Sequence, residues 1–177
     1  MQHARAGHTC TRLADGRVLV AGSAPAEVYD PASNQWWPTG SSGIARRGHT
    51  ANLLEDGRVL LAGGVTTEGP TAALEIFHPR TNTIESLALT LAEPRKDHRA
   101  ITLPDGRVWI SGGSNENGVL SSTEIFDPVD GKIVAGPHLN LPRSGHSATM
   151  LLDGRVLIAA GSDGVGELGS RAVRTFG

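Results

Sequence analysis

Four arginine–histidine pairs recur along this chain: Arg5 with His8, Arg46 with His49, Arg95 with His98 and Arg143 with His146, the arginine always three residues ahead. A guanidinium grips a carboxylate through paired, charge-assisted hydrogen bonds. Imidazole is a common metal ligand and an acid–base group near neutral pH. Two kinds of chemistry are therefore open: recognition of an acidic ligand, and a metal or proton-transfer centre. Glu27, Glu75 and Glu124 recur as well, opening the runs EVYDP, EIFHP and EIFDP. They could partner the arginines or contact a ligand beside them.

The elements that must position these residues form a repeat, and self-similarity of this kind decides the architecture before any local propensity does. Seven residues after each histidine stands Asp-Gly-Arg, at Asp15, Asp56, Asp105 and Asp153, with copies 41, 49 and 48 residues apart. The runs VLVA, VLLA, VWIS and VLIA follow, then one or two glycines. The first interval is short because Asp15 to Glu27 is 12 residues whereas Asp56 to Glu75 and Asp105 to Glu124 are both 19, so one loop lacks seven residues.

Each unit reads as four short strands. The first, such as 49–54, keeps a small residue at one position (Cys10, Ala51, Ala100, Ala148), as a crowded inner strand requires. Asp-Gly between apolar runs predicts a tight primed hairpin turn. The second strand, 59–62, is apolar on both faces and so is covered on both. The third ends at a proline, which cannot continue a ladder. A turn with Asn34, Asn82 or Gly131 at a left-handed position leads to a fourth strand starting at Trp36, Ile84 and Ile133.

With 177 residues and a net charge of −2 the chain suits one domain and carries no basic stripe for nucleic acid or a membrane surface. The lone Cys10 excludes an intrachain disulfide and a thiolate zinc site. No signal peptide and no apolar stretch of membrane-spanning length is present, so the chain reads as soluble, its compartment unspecified. No phosphate-binding loop, triad spacing or zinc motif is visible, and no cofactor, catalytic residue or metal site is expected. The four histidines fall in four separate sheets, where each would fix a backbone carbonyl.

Four antiparallel strands per unit of ~50 residues is the pattern of β-propeller blades. The combination R-x-x-H, D-G-R, apolar run, Gly-Gly, aromatic before the Pro-containing turn and Trp36 resembles the kelch repeat in the form found in galactose oxidase-like propellers, over nearly the whole chain. The expected fold is all-β: a single domain over 1–177, with three complete four-stranded blades at about 1–43, 44–92 and 93–140 and a partial fourth at 141–177.

The resemblance implies a binding rim, since kelch propellers that bind acidic peptides use arginines at the slot of Arg5, Arg46, Arg95 and Arg143. The competing reading is that these arginines only bridge blades or loop carbonyls. With Glu75 and Glu124 they are the candidate ligand-binding residues of a non-enzymatic module that recognises a protein or carbohydrate. The alternative is part of a sugar-acting propeller enzyme, mutarotase or oxidase-like, with catalytic residues partly outside this chain. The copper-oxidase constellation needs two tyrosines and only Tyr29 is present. Kelch relatives close with six or seven blades, so four copies predict an incomplete ring, extended by further blades of a longer chain or by a second copy.

Overall fold

A computed structural model describes residues 3–23, 25–40, 43–169 and 171–175. Ala24 of the short first loop and Ser170, Phe176 and Gly177 of the C-terminal segment lie outside the described residues. The first blade is β1 (Thr9–Arg12), β2 (Val18–Ala21), β3 (Glu27–Asp30) and β4 (Gln35–Pro38). The second is β5 (Thr50–Leu53), β6 (Val59–Ala62), β9 (Ala73–His78) and β10 (Thr83–Thr90), with a small hairpin, β7 (Val65–Thr66) and β8 (Gly69–Pro70), inserted after β6. The third is β11 (Arg99–Thr102), β12 (Val108–Ser111), β15 (Thr123–Asp127) and β16 (Lys132–Ala135), with the matching hairpin β13 (Ser114–Asn115) and β14 (Gly118–Val119). The fourth has β17 (Ser147–Met150), β18 (Val156–Ala159) and β19 (Arg171–Arg174).

Each blade is an antiparallel meander in chain order, four-stranded three times and three-stranded in the last, and no helix occurs among the described residues. The inner strands β1, β5, β11 and β17 touch one another in succession. The protein is thus a β-propeller arrangement of four blades. Among the described residues no helix is long and apolar enough to cross a membrane.

Apolar burial between successive blades is the main stabilising term. Leu13, Leu19 and Val28 of the first blade pack on Val59, Leu61 and Phe77 of the second. Leu54, Leu60 and Ile76 of the second pack on Val108, Ile110 and Phe126 of the third. Leu103, Trp109 and Ile125 of the third pack on Val156 and Ile158 of the fourth. The second strands β6 and β12 are apolar on both faces because each separates two such layers. No core cluster among the described residues joins the fourth blade to the first.

One expectation about the turns is corrected. The Asp-Gly hairpins are three-residue loops: Gly57 N–H donates to Leu54 O (3.0 Å) and Leu54 N–H to Arg58 O (2.8 Å). That is a type I turn followed by a glycine at positive φ, +85° at Gly57. The extra residue ahead of each Asp-Gly gives a type I turn with a bulge glycine in place of a primed two-residue turn. Asn34, Asn82 and Gly131 adopt φ of 55°, 57° and 62°, the left-handed positions that the turn sequences require. The fourth strands start one residue earlier than read, at Gln35, Thr83 and Lys132.

Candidate functional site

The register brings the start of each inner strand, the end of the second strand and the start of the third to one end of the blade: Thr50 pairs with Ala62, and Leu61 with Glu75. The repeated arginines and glutamates meet there, within each blade. Arg46 Nη2 donates to Glu75 Oε2 at 2.6 Å and Arg95 Nη2 to Glu124 Oε1 at 2.8 Å, and Arg5 pairs with Glu27 in the same way. The second guanidinium nitrogen of Arg46 donates to Gly63 O (2.8 Å) and Ala73 O (3.0 Å); that of Arg95 donates to Gly112 O (2.8 Å) and Ser122 O (3.1 Å). In the fourth blade Arg143 Nη1 donates to Ala160 O at 2.9 Å, and Ala172, opposite Ile158, holds the position that Glu124 holds opposite Ile110.

These side chains are buried. Arg46, Arg95 and Arg143 are 2%, 0% and 2% exposed, and Glu75 and Glu124 only 1% and 3%. Burial pulls the Arg46 pKa down and the Glu75 charge opposes it, as a buried but compensated pair should behave. The carboxylates have a second duty: Glu75 accepts the Ile44 N–H (3.0 Å) and Glu124 the Ala92 N–H (2.8 Å), so each pins the linker that enters its own blade. The six candidate residues, Arg5, Arg46, Arg95, Arg143, Glu75 and Glu124, form the buried floor beneath the loops.

Three of the four histidines also differ from expectation, since His49, His98 and His146 each reach a hydroxyl of the preceding blade. Thr9 Oγ1 and His49 Nε2 are 2.9 Å apart, Thr50 Oγ1 and His98 Nε2 3.0 Å, and Ser111 Oγ and His146 Nε2 3.2 Å. At the third joint Arg99 replaces the threonine and donates from Nε to His146 O at 2.6 Å. Burial first, then the nearby arginine, holds His49 and His146 down at about 4 and His98 at about 3. All three are neutral at physiological pH. No cluster of three metal-ligating side chains occurs among the described residues.

Above the buried floor the surface is irregular. The hairpins β7–β8 and β13–β14 rise side by side, with Gly69 close to the Glu116 carboxylate. Beside the first blade, whose loop is seven residues shorter, a cavity of about 140 Å³ opens between Ser23, Ala45, Arg46, Arg47, Val65, Thr66 and Thr67. Arg47 is exposed, unlike its neighbour Arg46. It and Lys96 directly follow the repeated arginines. That pair was not singled out from the sequence, although a basic residue after the repeated arginine in copies two and three was a visible signal.

A larger cavity, about 590 Å³, lies at the opposite end among the Asp-Gly-Arg turns, lined by Asp15, Asp56, Arg58, His78, Pro79 and Arg80. Its charges are mostly committed within the turns: Arg17 Nε donates to Asp15 at 2.8 Å and Arg58 Nε to Asp56 at 2.6 Å. Arg17 also crosses to Pro79 O at 2.9 Å, tying the walls together. The Asp-Gly-Arg turn recurs in all four copies, whereas His78 and Arg80 stand where the first copy has Asp30 and Ala32 and the third Asp127 and Val129. No protein-family model and no curated protein matches the chain.

Proposed function

We propose that the chain is a kelch-type, non-enzymatic recognition module that binds a protein or carbohydrate ligand on its loop face. The observation that carries this reading is the notch beside the first blade, lined by Ser23, by Val65, Thr66 and Thr67 of the β7 hairpin, and by the exposed Arg47. A rigid floor of buried Arg–Glu pairs beneath variable loops is a suitable base for such a surface, because loops held by a rigid scaffold lose little freedom on binding. The kelch assignment within propellers rests on the repeat motif, and the repeated arginines act chiefly as struts of the face, Arg46 also lining the notch.

The test is to screen the purified chain on immobilised glycans and against cell-extract proteins, with sugar turnover followed in parallel. A retained ligand whose binding falls at least tenfold in Arg47→Ala and is kept in Arg80→Ala, with no turnover, supports the reading. Turnover of a sugar, or loss of binding in Arg80→Ala alone, overturns it.

A further inference from the structure

Three differences between repeats shape the cavity among the turns of the first two blades. The first is Ala14, which stands where the second copy has Glu55. The Glu55 carboxylate lies 3.0 Å from the place of a Cβ on Gly106, so it covers that glycine, whereas a Cβ on Gly57 meets nothing within 4 Å. The short side chain of Ala14 leaves open the space that a glutamate occupies at the next joint. At about 590 Å³ the cavity falls in the range of pockets for small organic ligands, about 300–1,000 Å³.

The other two differences lie in the turn between the third and fourth strands. In the first and third blades an aspartate opens this turn and caps it, as short acidic side chains do two residues along the backbone. Asp30 Oδ1 accepts the Ala32 N–H at 2.9 Å, and Asp127 Oδ1 accepts the Val129 and Asp130 N–H groups at 2.9 and 3.1 Å. The second blade has His78 at that position, and its imidazole meets Glu85 instead, Nε2 to Oε2 at 3.0 Å. The backbone N–H groups of Arg80 and Thr81 therefore have no acceptor among the described residues. Both residues line the cavity, and Arg80 adds a guanidinium where the other copies have Ala32 and Val129. Arg80 is exposed and forms no ion pair with a described residue. The neighbouring carboxylates do not claim it, since Asp15 is held by Arg17 and Asp56 by Arg58, Nε to Oδ2 at 2.8 and 2.6 Å.

We propose that this cavity binds a small organic carboxylate, whose carboxyl group takes the place of the aspartate side chain that the second blade lacks. Its oxygens accept the Arg80 and Thr81 N–H groups and pair with the Arg80 guanidinium. Successive backbone N–H groups make an anion site, and a guanidinium adds charge-assisted hydrogen bonds to it. A carboxylate suits the position better than a phosphate because Asp30 and Asp127 fill it with a carboxylate in the other blades. Ala14 and Pro79 supply apolar wall for the body of the ligand. The site lies at the opposite end of the blades from the loop face and does not rest on the reading given to that face.

The experiment follows the backbone amide resonances of Arg80 and Thr81 in the 177-residue chain during titration with acetate, glucuronate, glucose and inorganic phosphate. Both resonances are expected to shift and saturate with at least one of the two carboxylates and to stay in place with glucose. Phosphate is expected to bind at least tenfold more weakly than the tighter carboxylate, and Arg80→Ala to weaken that carboxylate at least tenfold. His78→Asp restores the cap of the other blades and Ala14→Glu refills the space as Glu55 does, so each is expected to abolish the shifts. Both put in a residue that another repeat carries at the same position, and if one fails to fold the other decides. Arg47→Ala, on the loop face, is expected to leave the titration unchanged. No saturable shift with either carboxylate, equal or tighter binding of phosphate, or a shift with glucose overturns the inference. So does undiminished carboxylate binding in a folded Arg80→Ala, His78→Asp or Ala14→Glu variant, or its loss in Arg47→Ala.

Discussion

Gly63 lies directly beneath the carbonyl of Arg95: a methyl group on its α-carbon would sit 2.5 Å from that oxygen and 2.8 Å from His98 Cε1. The residue also holds φ at +59°, a conformation that costs an L-residue about 1–2 kcal/mol. Gly63→Ala is therefore expected to destabilise the fold by about 2–3 kcal/mol, strain and overlap together, and Gly112→Ala by a similar amount. Chemical denaturation checks this. A cost below about 0.5 kcal/mol, the level of an ordinary surface change, would show that the blades separate enough to admit the methyl group.

Removing one partner of a buried ion pair leaves the other charged and desolvated. Arg95→Met strands Glu124, whose side chain is 4% exposed, and is expected to cost about 3–5 kcal/mol. The double variant Arg95→Met with Glu124→Leu is expected to recover most of that loss, because a hydrophobic pair of similar volume avoids the charge burial. A double-mutant cycle decides. Additive losses would mean that Arg95 stabilises chiefly through the Gly112 and Ser122 carbonyls.

Stability should fall on mild acidification. His49, His98 and His146 bind protons only near pH 4, 3 and 4 when folded, but near pH 6.5 when unfolded. The unfolded state then holds more protons between those limits, so unfolding becomes easier as pH drops from about 6.5 toward 4, by up to about 1.4 kcal/mol per pH unit for each histidine. The stabilisation is fully present above pH 6.5 or so. Denaturation midpoints measured across this window check the slope, and His98→Gln is expected to flatten it.

The hairpin glycines need a positive φ but not space. A Cβ at Gly57 meets nothing within 4 Å, so Gly57→Val is expected to cost about 1–3 kcal/mol from backbone strain alone. At Gly106 the Glu55 carboxylate lies 3.0 Å away, and the end of a flexible side chain can shift, so Gly106→Val should cost about the same. Thermal unfolding of the two variants is the measurement.

The sequence made much of this legible because spacing in a meander translates directly into position. The intervals between Arg46, Asp56 and Glu75 place the arginine and the glutamate at the same end of a blade, and they meet there. What spacing does not carry is depth. Arg46 and Arg47 are adjacent in the segment before β5, but one is buried against Glu75 and the other stands in solvent. The contacts between blades were hidden for a related reason. Thr9 and His49 are 40 residues apart, and only the stacking of two sheets shows that the hydroxyl and the imidazole meet. The turn was misjudged by one residue, since Asp-Gly is common to the two-residue loop and to the longer one that forms.

The hydroxyl–histidine latch tells a blade what its neighbour must offer, but it holds no information about how many neighbours there are. Adding or deleting one unit changes the tally of latches by one and alters none of the others. A gene for such a chain can therefore lengthen or shorten by whole repeats with each intermediate still able to stack. Inner blades, gripped on two sides, should exchange their amide protons more slowly than the outer pair, and unravelling should begin at the ends.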